Sequence, residues 1–118
     1  MDKVFLDEVI WRYKNPSHRG KCEGIKCSVQ NVSCGDDLFM FVSTHDGVID
    51  DMKFDGEMCS ICNYGAELLC ERAIGIGVEE ARELGSKELL GETGRSLLNN
   101  PVRLKCFELA QVALEELE

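Results

Sequence analysis

The chain has 118 residues, of which 44% are hydrophobic and 30% charged, and its formal net charge is −9. That size and balance suit one globular domain, residues 1–118, with one modest core, and the acid surplus excludes the basic surface that nucleic-acid phosphates demand. No apolar run reaches the length of a membrane span, and Asp2, Lys3, Asp7 and Glu8 break up the apolar N-terminus, so a cytoplasmic protein with neither signal peptide nor membrane segment is expected.

Residues Lys3 to Lys14 read as a short helix. Leu6, Ile10 and Tyr13 share one face, and Val9 and Trp11 widen it. Asn15-Pro16-Ser17 stops that helix, because the residue before proline disfavours helical geometry. Gly24 to Gln30 alternates as a half-buried strand, with Ile25, Cys27 and Val29 inward. Asp37 to Thr44 is apolar on both faces, which places it centrally, and Asp46-Gly47 is a hairpin turn leading into a third strand over Val48 to Phe54. From Cys59 the period becomes helical, with Cys62, Ala66, Leu69 and Ala73 as the inner stripe and Gly75 and Gly77 as the stop. Val78 to Leu84 reads as a short acidic helix, and Ser86 to Asn100 as a helical turn followed by loop. Asn100 is the expected N-cap of a last helix that begins at Pro101 and runs to about Leu117. Its inner stripe is Cys106, Ala110, Ala113 and Leu117; its wet one is Glu108, Gln111, Glu115 and Glu118. The expected fold class is α+β: a three-stranded antiparallel sheet with the N-terminal helix and the C-terminal helices packed on it.

Seven cysteines without a secretion signal, and in odd number, favour metal or redox chemistry over a disulfide framework. The loop between the first two strands carries Asn31-Val32-Ser33-Cys34-Gly35-Asp36. Cys34 and Asp36 put a soft thiolate and a hard carboxylate two residues apart, and Gly35 permits the bend that turns both toward one ion. Cys59 and Cys106 each stand at a helix start, which for Cys59 lowers the thiol pKa and favours the thiolate form. Either cysteine alone would pass for a small core residue; together with Cys34 and Asp36 they form a candidate site for iron or zinc. Cys27 and Cys70 read as structural, Cys70 as partly buried, and Cys22 as lying in a polar loop. Cys59-Ser60-Ile61-Cys62 is a C-x-x-C at a helix start, for which packing, a fifth ligand or sulfur acceptor, and redox chemistry are all open readings. His18 and His45 fit no ligand spacing, and His45 is expected in solvent.

Asn15-Pro16 with Gly20 downstream, Cys34-Gly35-Asp36, Phe54-Asp55-Gly56 ahead of Cys59, and Pro101-Val102-Arg103-Leu104-Lys105-Cys106 follow one another in an order that resembles the IscU/NifU family of iron–sulfur cluster assembly scaffolds, over nearly the whole chain. The resemblance implies a non-enzymatic scaffold without catalytic residues. It would build a labile cluster of the two-iron, two-sulfur type on Cys34, Cys59 and Cys106, with Asp36 as the ligand that keeps the cluster exchangeable. It also implies sulfur received as persulfide from a cysteine desulfurase, apo iron–sulfur proteins as recipients, and a monomer or weak homodimer. Lys105 before the last cysteine resembles the SufU branch, which brings in the alternative of a zinc-dependent sulfur acceptor with zinc as the resting metal. A third reading is a metal-binding paralogue that assembles no cluster. The chaperone-recognition run of the family stands here as Asn99-Asn100-Pro101-Val102-Arg103, so an Hsp70-type chaperone loses most of its expected recognition sequence.

Overall fold

In the computed structural model, which describes residues 3–117, the alternating apolar runs pair into a three-stranded antiparallel sheet of order β1-β2-β3. The strands are β1 (Ile25–Asn31), β2 (Asp36–His45) and β3 (Val48–Glu57). Leu38, Met40, Val42, Met52 and Phe54 line the buried face, so the period-two alternation directs side chains as expected. Asp46 and Gly47 both take positive φ, at 52° and 78°, the backbone of a type I′ hairpin turn. β3 runs three residues past Phe54, its expected end, because Asp55, Gly56 and Glu57 stay in register with Phe39, Leu38 and Asp37. That extension delivers the chain to Cys59 beside the start of β2.

Among the described residues, six helices accompany the sheet: α1 (Lys3–Lys14), α2 (Ser60–Ala73), α3 (Val78–Arg82), α4 (Ser86–Leu90), α5 (Pro101–Phe107) and α6 (Leu109–Glu115), with a 3-10 turn over Arg95–Asn99. α2 is buried on most of its circumference, because the sheet, α1 and the α5/α6 pair each cover one side of it. Cys70 is therefore fully buried rather than partly so. α1 has the expected bounds but a different inner face. Phe5 and Val9 point into the core, while Leu6, Ile10, Trp11 and Tyr13 are exposed. The face is chosen by α2: the Phe5 ring meets Tyr64 edge-on at 5.3 Å, and Arg12, on the same side, pairs with Glu71 at 2.5 Å.

The last helix is broken in two at Glu108. The break adjoins the closest approach of the helices. A Cβ on Gly65 of α2 would lie 2.1 Å from the Phe107 carbonyl oxygen, so only glycine lets α5 pass there. The inner stripe still holds, with Cys106, Ala110, Ala113 and Leu117 buried; of the expected wet positions, Glu118 lies outside the described residues, as do Met1 and Asp2. Ahead of β1, residues 18–20 run parallel to β3: Phe54 donates its N–H to the His18 carbonyl at 3.0 Å, and Gly20 donates to the Phe54 carbonyl at 2.8 Å. Among the described residues, no helix is long and apolar enough to cross a membrane.

Candidate metal centre

Three parts of the chain meet at one end of the sheet. The first is the β1–β2 loop. Cys34 donates its N–H to the Asn31 carbonyl at 3.1 Å and Gly35 to the Val32 carbonyl at 3.4 Å, which folds the loop back on itself. Gly35 has φ 72° and open space where a Cβ would sit, so it supplies the bend between Cys34 and Asp36 that the motif suggested. The Cys34 side chain is left exposed at the loop, whereas Asp36 is buried as the first residue of β2.

The second is the start of α2. Cys59 is its N-cap, with extended backbone, and its Sγ accepts the N–H of Cys62 at 3.4 Å. A sulfur thus fills the role that a serine or aspartate oxygen usually plays, and a backbone donor faces any negative charge on it. The Cys59 N–H is held by Asp36 Oδ1 at 2.8 Å, and Asp36 Oδ2 lies 3.9 Å from Cys59 Sγ.

The third is α5. Asn100 caps it as expected, its side-chain oxygen accepting the Arg103 N–H at 3.2 Å, and Pro101 occupies the first turn. This fixes Cys106 in the second turn with its sulfur turned inward, 3.1 Å from Cys34 Sγ. Cys34, Asp36 and Cys106 bring their ligand atoms within 4.8 Å of one another, while Cys59 lies outside that mutual radius and joins the group through Asp36. All four expected site residues therefore meet at one mouth, as a tight trio with a fourth donor at its edge.

The electrostatics of this mouth favour a cation. Burial, the contact with Cys34, and the neighbouring charges of Cys59 and Asp36 together push the Cys106 thiol up. Several groups that would each be anionic share a small, partly dry space, and a metal ion relieves that repulsion by displacing thiol protons. Thiolates with one carboxylate suit iron or zinc; they do not suit magnesium or calcium, which take oxygen shells.

Asn31 is the site residue that motif reading left without a role. Its side chain is buried, its Nδ2 donates to Cys106 Sγ at 3.5 Å, and its Oδ1 has no hydrogen-bond partner. The strand period could have found it, since Cys27, Val29 and Asn31 alternate onto the same inner face. Lys105 is exposed and lines the open side of the cleft with Ser33, Cys34 and Val102.

The remaining candidates stand elsewhere. Cys27 is in the core, and Cys22 is half-buried with its Sγ donating to the Phe41 carbonyl at 3.5 Å. His45 is solvent-exposed beside Asp46. His18 pairs with a buried carboxylate instead of a metal site: its N–H and its Nδ1 contact the two oxygens of Glu67 at 2.8 and 3.0 Å. Cys62 is fully buried behind Cys59, and burial, followed by the charges of Asp36 and Cys59, pushes its thiol up.

Residues 4–116 match the family described as NifU-like N terminal domain. The chain is 35% identical to the iron-sulfur cluster assembly scaffold protein IscU of Thermotoga maritima, covering 97% of this chain and 92% of that one. It is 27% identical to the zinc-dependent sulfurtransferase SufU of Bacillus subtilis, over 98% and 90% of the two chains. Among solved structures, it superposes with a TM-score of 0.78 on a putative iron-sulfur cluster assembly scaffold protein for the SUF system from Fervidobacterium islandicum, at 25% identity and with 98% and 93% of the two chains covered.

Proposed function

The chain belongs to the NifU-like N-terminal domain family, and from that membership we propose that it is a scaffold: iron and sulfur are assembled into a cluster on it and then passed to recipient proteins. The observation that carries this reading is the convergence of Cys34, Asp36 and Cys106 from opposite ends of the chain, with Cys59 held against the same carboxylate. The cluster is cargo here. Cys34, Cys59 and Cys106 supply the thiolates that hold it, and Asp36 completes the four donors that a two-iron, two-sulfur cluster takes. Asp36 supplies a hard oxygen among soft donors, which weakens its grip on iron and eases exchange. The exposed Cys34 side is where sulfur and iron enter and where the finished cluster leaves.

On this reading the chain is not itself an enzyme. Its sulfur comes from a cysteine desulfurase, whose docking is favoured by the acidic surface of a chain of charge −9 and weakened by salt. Recipients are apo iron–sulfur proteins, and the setting is the cytoplasm. The second reading, a zinc-dependent sulfur acceptor, is favoured by Lys105, whose cation flanks the cleft beside Cys34 without being able to ligate a metal while protonated. Anaerobic purification followed by iron, zinc and acid-labile sulfide analysis tests both. Iron and sulfide in equal amounts, with visible absorption, support the scaffold. Stoichiometric zinc without sulfide, unchanged after incubation with iron, desulfurase and cysteine, overturns it in favour of the second reading.

A further inference from the structure

We propose that Cys62 is a resolving thiol, which attacks Cys59 when that residue carries a sulfane sulfur and releases the sulfur as sulfide. The proposal rests on the sulfur-accepting part of the reading above, and it gives a chemical role to the one member of the C-x-x-C that the ligand set leaves out.

The geometry is that of a dithiol at a helix start. Cys59 is the N-cap of α2 and half-buried, and Cys62 is the third residue of the helix and fully buried. The Cys62 N–H points at Cys59 Sγ, 3.4 Å away, so the Cys59 sulfur already leans over the turn that carries Cys62. A disulfide needs its two Cβ atoms within about 3.5–4.5 Å, closer than the roughly 5–6 Å of residues three apart inside a helix, so Cys59, an N-cap with extended backbone, moves toward Cys62 as the bond forms. Asp36 flanks Cys59 on the cleft side, and Cys62 is near enough to feel the charges of Asp36, Cys59 and Cys34 alike. Cys59 is the more exposed of the two, so an added sulfur is accommodated on the side away from the buried Cys62, which meets the bond from its inner end.

The step balances without an outside oxidant. Cys62, on giving up its thiol proton, attacks Cys59 Sγ of the persulfide as the thiolate. The bond between Cys62 Sγ and Cys59 Sγ forms, and the bond between Cys59 Sγ and the sulfane sulfur breaks. Its electron pair leaves with the sulfane sulfur, which is reduced to sulfide, while the two cysteine sulfurs are oxidised to a disulfide. The Cys62 proton departs on the leaving sulfur, so one persulfide and one thiol give one disulfide and one hydrogen sulfide. A dithiol reductant then restores both thiols. Attack on the outer sulfur would only move the sulfane to Cys62; attack on Cys59 Sγ is favoured because hydrosulfide is the more acidic, faster leaving group.

The test uses the full chain, metal-free and anaerobic, without reductant, loaded with inorganic polysulfide and desalted. Intact mass and released sulfide are followed in wild type, Cys62→Ser and Cys62→Ala. In wild type the one-sulfur adduct should decay to a species two hydrogens lighter than the reduced chain, with one sulfide released and a Cys59–Cys62 link in the peptide map. In either variant the adduct on Cys59 should persist and release sulfide about tenfold more slowly. Equal release in wild type and variants, or a Cys34–Cys106 link in place of Cys59–Cys62, overturns the proposal. The wild-type peptide map decides the matter even if neither variant folds. A parallel arm replaces polysulfide with a cysteine desulfurase and labelled cysteine. Failure of that arm alone counts against the sulfur-accepting reading and leaves the polysulfide result to judge Cys62.

Discussion

Asp36 holds Cys59 at two points, accepting its N–H with Oδ1 at 2.8 Å and facing its sulfur with Oδ2 at 3.9 Å. The carboxylate is thus a structural clamp on the start of α2 as well as the proposed metal donor at the cleft, and the two roles can be separated.

Asp36→Asn keeps an oxygen for the Cys59 N–H and removes the charge; Asp36→Ala removes both. The alanine variant should lose about 1–2 kcal/mol of stability, as expected when a helix-start acceptor is deleted from a buried position. The asparagine variant should lose less. Both should retain a reconstituted cluster longer than wild type against a chelator, and pass it to apo-ferredoxin more slowly. Faster loss of metal from both variants would instead mark a structural zinc site, in which every ligand tightens the grip.

Single changes of Cys34, Cys59 or Cys106 to Ser should abolish stable cluster assembly, while Cys22→Ser, away from the cleft, should leave it intact. Reconstitution with iron, sulfide and thiol, followed by absorption and iron counting, measures this. Full occupancy in Cys106→Ser would remove α5 from the site. Cys70→Ser is a different case. Cys70 is fully buried, so its hydroxyl would be stranded, and the effect should appear in the melting temperature and not in the ligand count.

Gly65→Ala places a methyl group on the Phe107 carbonyl, next to Cys106 in the chain. α5 must move away, at a cost of about 1–3 kcal/mol. The displacement carries Cys106 away from Cys34, so cluster occupancy should fall along with the melting temperature. A destabilised variant with normal occupancy would show that the helix crossing does not position the thiol.

Burial pushes the Cys62, Cys70 and Cys106 thiols up in the folded chain. Unfolded cysteines ionise near about pH 8.5. Above that pH the unfolded chain releases protons that the folded chain keeps, so the unfolded state binds fewer protons and stability falls as pH rises. The contribution is complete below about pH 8.5 and is lost above it. Urea midpoints of the metal-free chain, taken anaerobically with reductant at neutral and alkaline pH, should decrease in that direction. An unchanged midpoint would mean that these thiols ionise as freely folded as unfolded.

Much of this was legible in the sequence because it rests on local chemistry. Alternation set the strand faces, Asp46-Gly47 set the hairpin, and Asn100-Pro101 set the start of α5. What was not legible depends on partners remote in sequence. Leu6, Ile10 and Tyr13 have proper helical spacing, yet Tyr64 and Glu71 select Phe5, Val9 and Arg12 as the inner face. Phe54-Asp55-Gly56 reads as a strand end, yet pairing with β2 carries β3 on to Glu57. At the site, the residue types and their spacing pointed to Cys34, Asp36, Cys59 and Cys106, which the fold brings to one mouth. The clamp between Asp36 and Cys59, and the buried amide of Asn31 on Cys106, follow from register and could not be read from a motif.

Cys34 and Asp36 lie on one hairpin, but Cys106 comes from the second-last helix, 72 positions beyond Cys34. During synthesis the hairpin leaves the ribosome long before α5 does, and two donors on a bare hairpin are too few to retain a metal ion. The mouth is therefore completed only once α5 has emerged. Metal capture thus reports on the folded domain, and a product truncated before α2 is released with only the two hairpin donors.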